Sequence, residues 1–237
     1  MKFVKNNLAN AFTLGNLFSG TIGVINLISG DYQVAAVCII ISLILDFFDG
    51  FIARALKSNS NLGAQLDSLA DMVSFGVLPG IAMYKMLEPF GANVMGINLP
   101  FELKYFGLLV TIFSCVRLAI FNLDEEQTYY FKGLNTPSNT VLLFGLIYSF
   151  QEKGMYRFIF ENPLYIIILV AISSWLLVSP IKMIALKFKS MLLKDNYPKI
   201  ILLIGALTIL SLIGIGGIPL VIIFYIITSI GFQNQLK

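Results

Sequence analysis

Long apolar runs separated by short polar stretches dominate the chain, and most runs approach the ~20 residues that a helix needs to cross a bilayer. Eight of them read as spans, at roughly 11–29, 34–55, 66–86, 103–121, 137–151, 163–182, 199–214 and 217–233, the fifth being short. The connections are mostly brief. The pattern therefore predicts an all-α, polytopic integral membrane bundle of about eight transmembrane helices, a single domain over 1–237 with no soluble module. The first apolar run resembles a signal peptide, but it lacks a convincing small-residue cleavage site and further spans follow, so it reads as the first helix.

Composition strengthens this picture. Of the 237 residues, 57% are hydrophobic and only 12% charged. The mean hydropathy of +0.85 is more than a soluble domain of this length can carry on its surface. Lysine and arginine then set the orientation. With the N-terminus cytoplasmic, twelve of the sixteen basic residues fall on the N-terminus, 54–65, 117–136, 182–199 and the C-terminal tail, leaving Lys85, Lys104, Lys153 and Arg157 outside. This predicts a protein of the cytoplasmic (inner) membrane, N-terminus inside. The five lysines of 182–199 read as topology determinants, and the net charge of +3 suits anionic headgroups, with no nucleic-acid signal.

Histidine is absent, which excludes a histidine base, nucleophile or metal ligand. Cys38 and Cys115 lie in apolar runs without ligand spacing and read as buried small hydrophobes.

Against this background the stretch 43–76, LILDFFDGFIARALKSNSNLGAQLDSLADMVSFG, is anomalous, because it sets four aspartates in predicted spans. At about 100° per residue, Asp46 and Asp49 share one helix face with Gly50 and Ala53. Asp67 and Asp71 lie one turn apart on the next helix, with Gly63 a turn earlier. A cytoplasmic turn joins the two helices, so they run antiparallel and their acidic faces meet at one depth. Four carboxylates this close require cations between them. Oxygen ligands of this kind select hard divalent ions, Mg²⁺ first, with Mn²⁺ or Ca²⁺ as alternatives. The small residues open space beside the ligands, and Arg54 adds a cation suited to phosphate. Together these features point to a diphosphate site. An ion pathway through the same aspartates, as in a cation transporter, is the alternative from another class. It fits less well, because all four sit at one end beside Arg54.

The stretch matches D-x2-D-G-x2-A-R-x8-G-x3-D-x3-D at Asp46, Asp49, Gly50, Ala53, Arg54, Gly63, Asp67 and Asp71, and so resembles the CDP-alcohol phosphatidyltransferase signature. The resemblance covers about 8–140. It implies a six-helix core, a homodimer, and transfer of a phosphatidyl group from a CDP-linked lipid to an alcohol with release of CMP. It further implies two divalent cations, Mg²⁺ or Mn²⁺, on Asp46, Asp49, Asp67 and Asp71, with Asp71 also the base for the acceptor hydroxyl. Gly50, Ala53, Arg54, Ser60 and Gly63 would border the CDP moiety, and Asn10 and Thr13 of an Asn-x-x-Thr element would line its nucleotide side, a helix N-terminal cap being the alternative for that element.

Three further stretches, LDSLADMVSFGVLPG (66–80), CVRLAIFN (115–122) and YFKGLNTPSN (130–139), resemble the phosphatidylserine synthase branch. That branch implies CDP-diacylglycerol and L-serine as substrates. Arg117 is the cation left for serine's carboxylate, with Asn122 nearby; snorkelling to the headgroups is the alternative for Arg117. The chain departs from the branch at Ile120, where relatives tend to carry a second arginine, and at Asn135, where they tend to carry proline. Glycerol 3-phosphate is the alternative acceptor, but its dianion calls for more basic residues than Lys57 and Arg117.

Overall fold

The computed structural model describes residues 2–56, 61–94, 96–124, 130–185 and 193–233, with side chains from residue 8 in the first segment and from residue 196 in the last. Each apolar run becomes a helix. Helix α1 (Lys2–Ile28) turns at Gly30, whose φ of 85° suits glycine, into α2 (Tyr32–Ala55). Asp31 caps α2 by accepting from the Val34 amide at 2.9 Å. Helix α3 (Asn61–Asp71) continues through a π turn, Met72–Val77, into α4 (Leu78–Leu87). A 3-10 turn at Leu103–Leu108 leads into α5 (Leu109–Leu123). Then come α6 (Thr136–Lys153), the single turn α7 (Arg157–Phe160), α8 (Pro163–Val178), α9 (Leu193–Ile213) and α10 (Ile218–Gly231).

Among the described residues, five helical runs are long and apolar enough to cross a membrane: 8–28, 32–55, 61–90, 103–123 and 196–231. The last, of 36 residues, is a hairpin that folds back at Gly214 (φ 69°) and packs Gly205 against Phe224. Helix α8 is apolar but has 16 residues. Helix α6 is the least apolar of the eight expected spans because it is central, with nine of its residues buried. A multi-pass membrane protein follows from these runs.

Small residues bring the helices around the site together. Helix α1 turns Thr13, Asn16, Ser19, Gly23 and Leu27 inward at three- and four-residue spacing. Ser19 donates to the Cys38 carbonyl of α2 at 2.9 Å, and Gly23 admits the Cys38 side chain. The π turn releases carbonyls from the helical ladder, and neighbours supply donors: Thr140 of α6 to Phe75 O at 3.1 Å, and Thr111 of α5 to Gly76 O at 3.0 Å.

Two strands not foreseen from the sequence, β3 (Tyr130–Lys132) and β4 (Lys182–Ile184), pair antiparallel with Phe131 opposite Met183; the first two, β1 (Asn93–Val94) and β2 (Ile97–Asn98), form a small hairpin. The β3–β4 pair joins the loop after α5 to the loop after α8, which the basic-residue pattern also places on one side. At the opposite end Gln33 donates to Glu152 at 3.2 Å, uniting the two loops expected on the other side. One expectation fails: Cys38 is buried, but Cys115 is exposed on the outer face of α5.

Candidate active site

Asp46 and Asp49 lie three residues apart on α2, and Asp67 four residues before Asp71 on α3, so each helix turns both of its carboxylates toward the other. One ligand atom from each of Asp46, Asp49 and Asp67 lies within 4.8 Å of the other two. At that distance and an effective dielectric near 20, repulsion is on the order of 3 kcal/mol per ionised pair. Asp67 Oδ1 is buried and accepts no hydrogen bond from the described residues. Crowded oxygen atoms, one of them without a donor, fit a hard divalent cation.

Asp71, 9% exposed, stands beside this trio and lines the same cavity. Helix α1 holds the carboxylates from behind. Asn16 donates from Nδ2 to Asp71 Oδ1 at 3.1 Å, and Thr13 donates from Oγ1 to Asp49 Oδ2 at 2.7 Å. Asn16 is itself anchored, since its backbone carbonyl accepts from Ser42 at 3.3 Å and Ser74 at 3.1 Å. Asn16 was not foreseen, although it stands one helical turn beyond Thr13 on the same face of α1 and that spacing could have found it.

The cavity, about 370 Å³, has an acidic wall of Asp46, Asp49, Asp67 and Asp71 with Gly50 and Arg54. Arg54 folds back along α2 so that its Nη1 would lie 3.2 Å from a Cβ at Gly50. Arg117 on α5, Phe131 on β3, and Asn135 and Thr136 at the start of α6 also line the cavity. Arg117 does not snorkel: it is 3% exposed, its Nε has no partner among the described residues, and its guanidinium lies 5.2 Å from the Phe121 ring centre. Asn135, at the departure from proline, caps α6 by accepting from the Ser138 amide at 2.7 Å. Ile120, the other departure, faces outward and is 42% exposed.

The remaining expected residues lie elsewhere. Thr13 reaches the site through Asp49, while Asn10, Ala53 and Gly63 are partly buried outside the cavity wall. Asn122 does not line the cavity. It is exposed at the end of α5, and its amide donates to Ser68 of α3 at 2.8 Å. Ser60 and Lys57 lie outside the described residues.

The sequence is also similar to those of known proteins. The family model for CDP-alcohol phosphatidyltransferase matches residues 6–227. The CDP-diacylglycerol–serine O-phosphatidyltransferase of Bacillus subtilis is 30% identical over 177 residues, 75% of this chain and 89% of that protein. The protein of the same name from Helicobacter pylori is 34% identical over 137 residues, 56% of this chain and 54% of that protein. A third, from Saccharomyces cerevisiae, is 30% identical over 172 residues, 66% of this chain and 57% of its own length. The chain thus spans most of the Bacillus protein but about half of the other two. The matched family is dependent on divalent cations, in keeping with the aspartate cluster.

Proposed function

The chain belongs to the CDP-alcohol phosphatidyltransferase family, and from this we propose that it transfers a phosphatidyl group from CDP-diacylglycerol to the hydroxyl of L-serine, giving phosphatidylserine and CMP. The observation that carries this reading is one cavity lined by four carboxylates from α2 and α3 and a buried arginine from α5. The carboxylates suit a metal-bound diphosphate and the arginine the carboxylate of an amino acid.

Asp46, Asp49, Asp67 and Asp71 would hold two divalent cations, Mg²⁺ or Mn²⁺. Bound there, the ions would polarise the diphosphate and neutralise charge on departing CMP. Arg54, folded over Gly50, faces the same diphosphate, and the missing side chain at Gly50 leaves room for it. Arg117 would receive the serine carboxylate through its Nε, which has no partner among the described residues. The serine hydroxyl would then lie between Asp71 and the lipid-bearing phosphorus. Asp71 accepts the hydroxyl proton as the new O–P bond forms, and the phosphoanhydride bond breaks with its electron pair leaving on CMP. Asn16 orients Asp71 by its hydrogen bond. The site would face the cytoplasm, and the protein would work as a homodimer in a cytoplasmic membrane.

The test is CMP release from CDP-diacylglycerol by the purified protein with serine, glycerol 3-phosphate or water as acceptor. We expect Mg²⁺- or Mn²⁺-dependent release stimulated by serine, lost on chelation, and reduced by about 10²–10⁴-fold or more in Asp71→Asn and Asp67→Asn. Stimulation by glycerol 3-phosphate alone would remove serine as the acceptor.

A further inference from the structure

We propose that one acyl chain of the lipid donor lies in an apolar groove between α9 and α10, beside the acid cavity. The inference rests on the donor assigned above and adds where its hydrocarbon goes. The groove holds about 410 Å³, and Leu202, Ala206, Val221 and Ile222 form much of its wall. Phe131 and Asn135 line both this groove and the acid cavity, so the two spaces adjoin at these residues.

The walls change along that path as the donor does. At one end are aspartates and arginines, matching a diphosphate. Beyond Phe131 the surface is mostly hydrocarbon, and the Tyr225 hydroxyl is already satisfied by donating to Ile184 O at 3.0 Å. Leu203 on the rim is 61% exposed, so the groove opens sideways on the α9–α10 hairpin. A donor carried in the bilayer can therefore enter without its chain crossing water. A second apolar groove, about 650 Å³ between α2 and α6, shares no wall residue with the acid cavity, and size alone does not make it the donor's path. The proposal also gives the final hairpin a task, since none of its described residues lines the acid cavity.

The experiment uses full-length protein in nanodiscs with CDP-diacylglycerol bearing a diazirine within one acyl chain. Photolysis should crosslink residues of 199–225, and excess unlabelled CDP-diacylglycerol should suppress the signal. Ala206→Trp, which fills the groove, should remove most of that crosslink and raise the donor KM about ten-fold through overpacking. Leu207→Trp, at the adjacent 60% exposed position, should change neither. Crosslinks confined to 33–43 and 141–149, or crosslinks that unlabelled donor does not suppress, would overturn the proposal. So would equal labelling of 199–225 by phosphatidylcholine carrying the same diazirine chain, which would mark a general lipid contact. Serine-stimulated CMP release is measured on the same preparation. If it is absent while the competed crosslink persists, the acceptor reading fails and the groove stands; if it is present with the crosslink elsewhere, only the groove fails.

Discussion

Asn16 shows how much one uncharged side chain can carry. It is fully buried, donates to Asp71, and is fixed through its own carbonyl by two serines from different helices. A hydrogen bond to a charged group is worth about 1.5–3 kcal/mol. We therefore expect Asn16→Ala to lower kcat by about 10- to 100-fold, with the KM values for serine and donor nearly unchanged. A rise in KM with kcat intact would show that Asn16 shapes binding instead. Arg117 separates the other way. Arg117→Lys keeps the charge but loses the planar fork, so the serine KM should rise about ten-fold or more while the donor KM holds. Steady-state kinetics with each substrate varied distinguishes the two residues. Of this site, the sequence made legible the six charged residues that enter the cavity, because helix spacing puts the carboxylates of each helix on one face and a span leaves few charges to choose from. Asn122 was misplaced because nearness along the chain does not say that α5 turns it toward Ser68.

At the scale of elements, packing between α1 and the π turn holds the acid faces in register. A Cβ at Gly20 would lie 2.9 Å from the Ser74 backbone Cα, where nothing can yield but the helices themselves. Gly20→Ala should cost about 1–3 kcal/mol and lower Tm in detergent. Gly231→Ala, with nothing within 4 Å, should leave Tm within error. Equal melting of the two variants would show that this contact does not bear on stability. The helices themselves were legible from hydropathy, but the polar first turns were not: α1, α3 and α9 begin at Lys2, Asn61 and Leu193, ahead of the apolar runs that mark them. The π turn was not, because it depends on Thr111 and Thr140 from helices distant in sequence. Nor was the β3–β4 pair, whose strands are some fifty residues apart and too short to show periodicity.

At the scale of the whole molecule, charge asymmetry and tertiary contacts give the same two-ended arrangement. Loops expected inside meet at β3–β4 near the acid site, while Gln33 and Glu152 meet at the far end. In a background lacking Cys38 and Cys115, a membrane-impermeant thiol reagent should label Lys153→Cys in intact cells and Lys132→Cys only after lysis. The reverse pattern would place the active site outside.

The central claim is that two neighbouring helices gather their carboxylates around divalent cations used in the transfer, and Mn²⁺ titration followed by electron paramagnetic resonance tests it most directly. With purified protein and CDP-diacylglycerol, the account predicts saturable binding of two Mn²⁺ per chain, close enough to couple magnetically. In Asp46→Asn and Asp67→Asn it predicts loss of the coupled signal. Unsaturable binding, or a spectrum unchanged by either substitution, would contradict it.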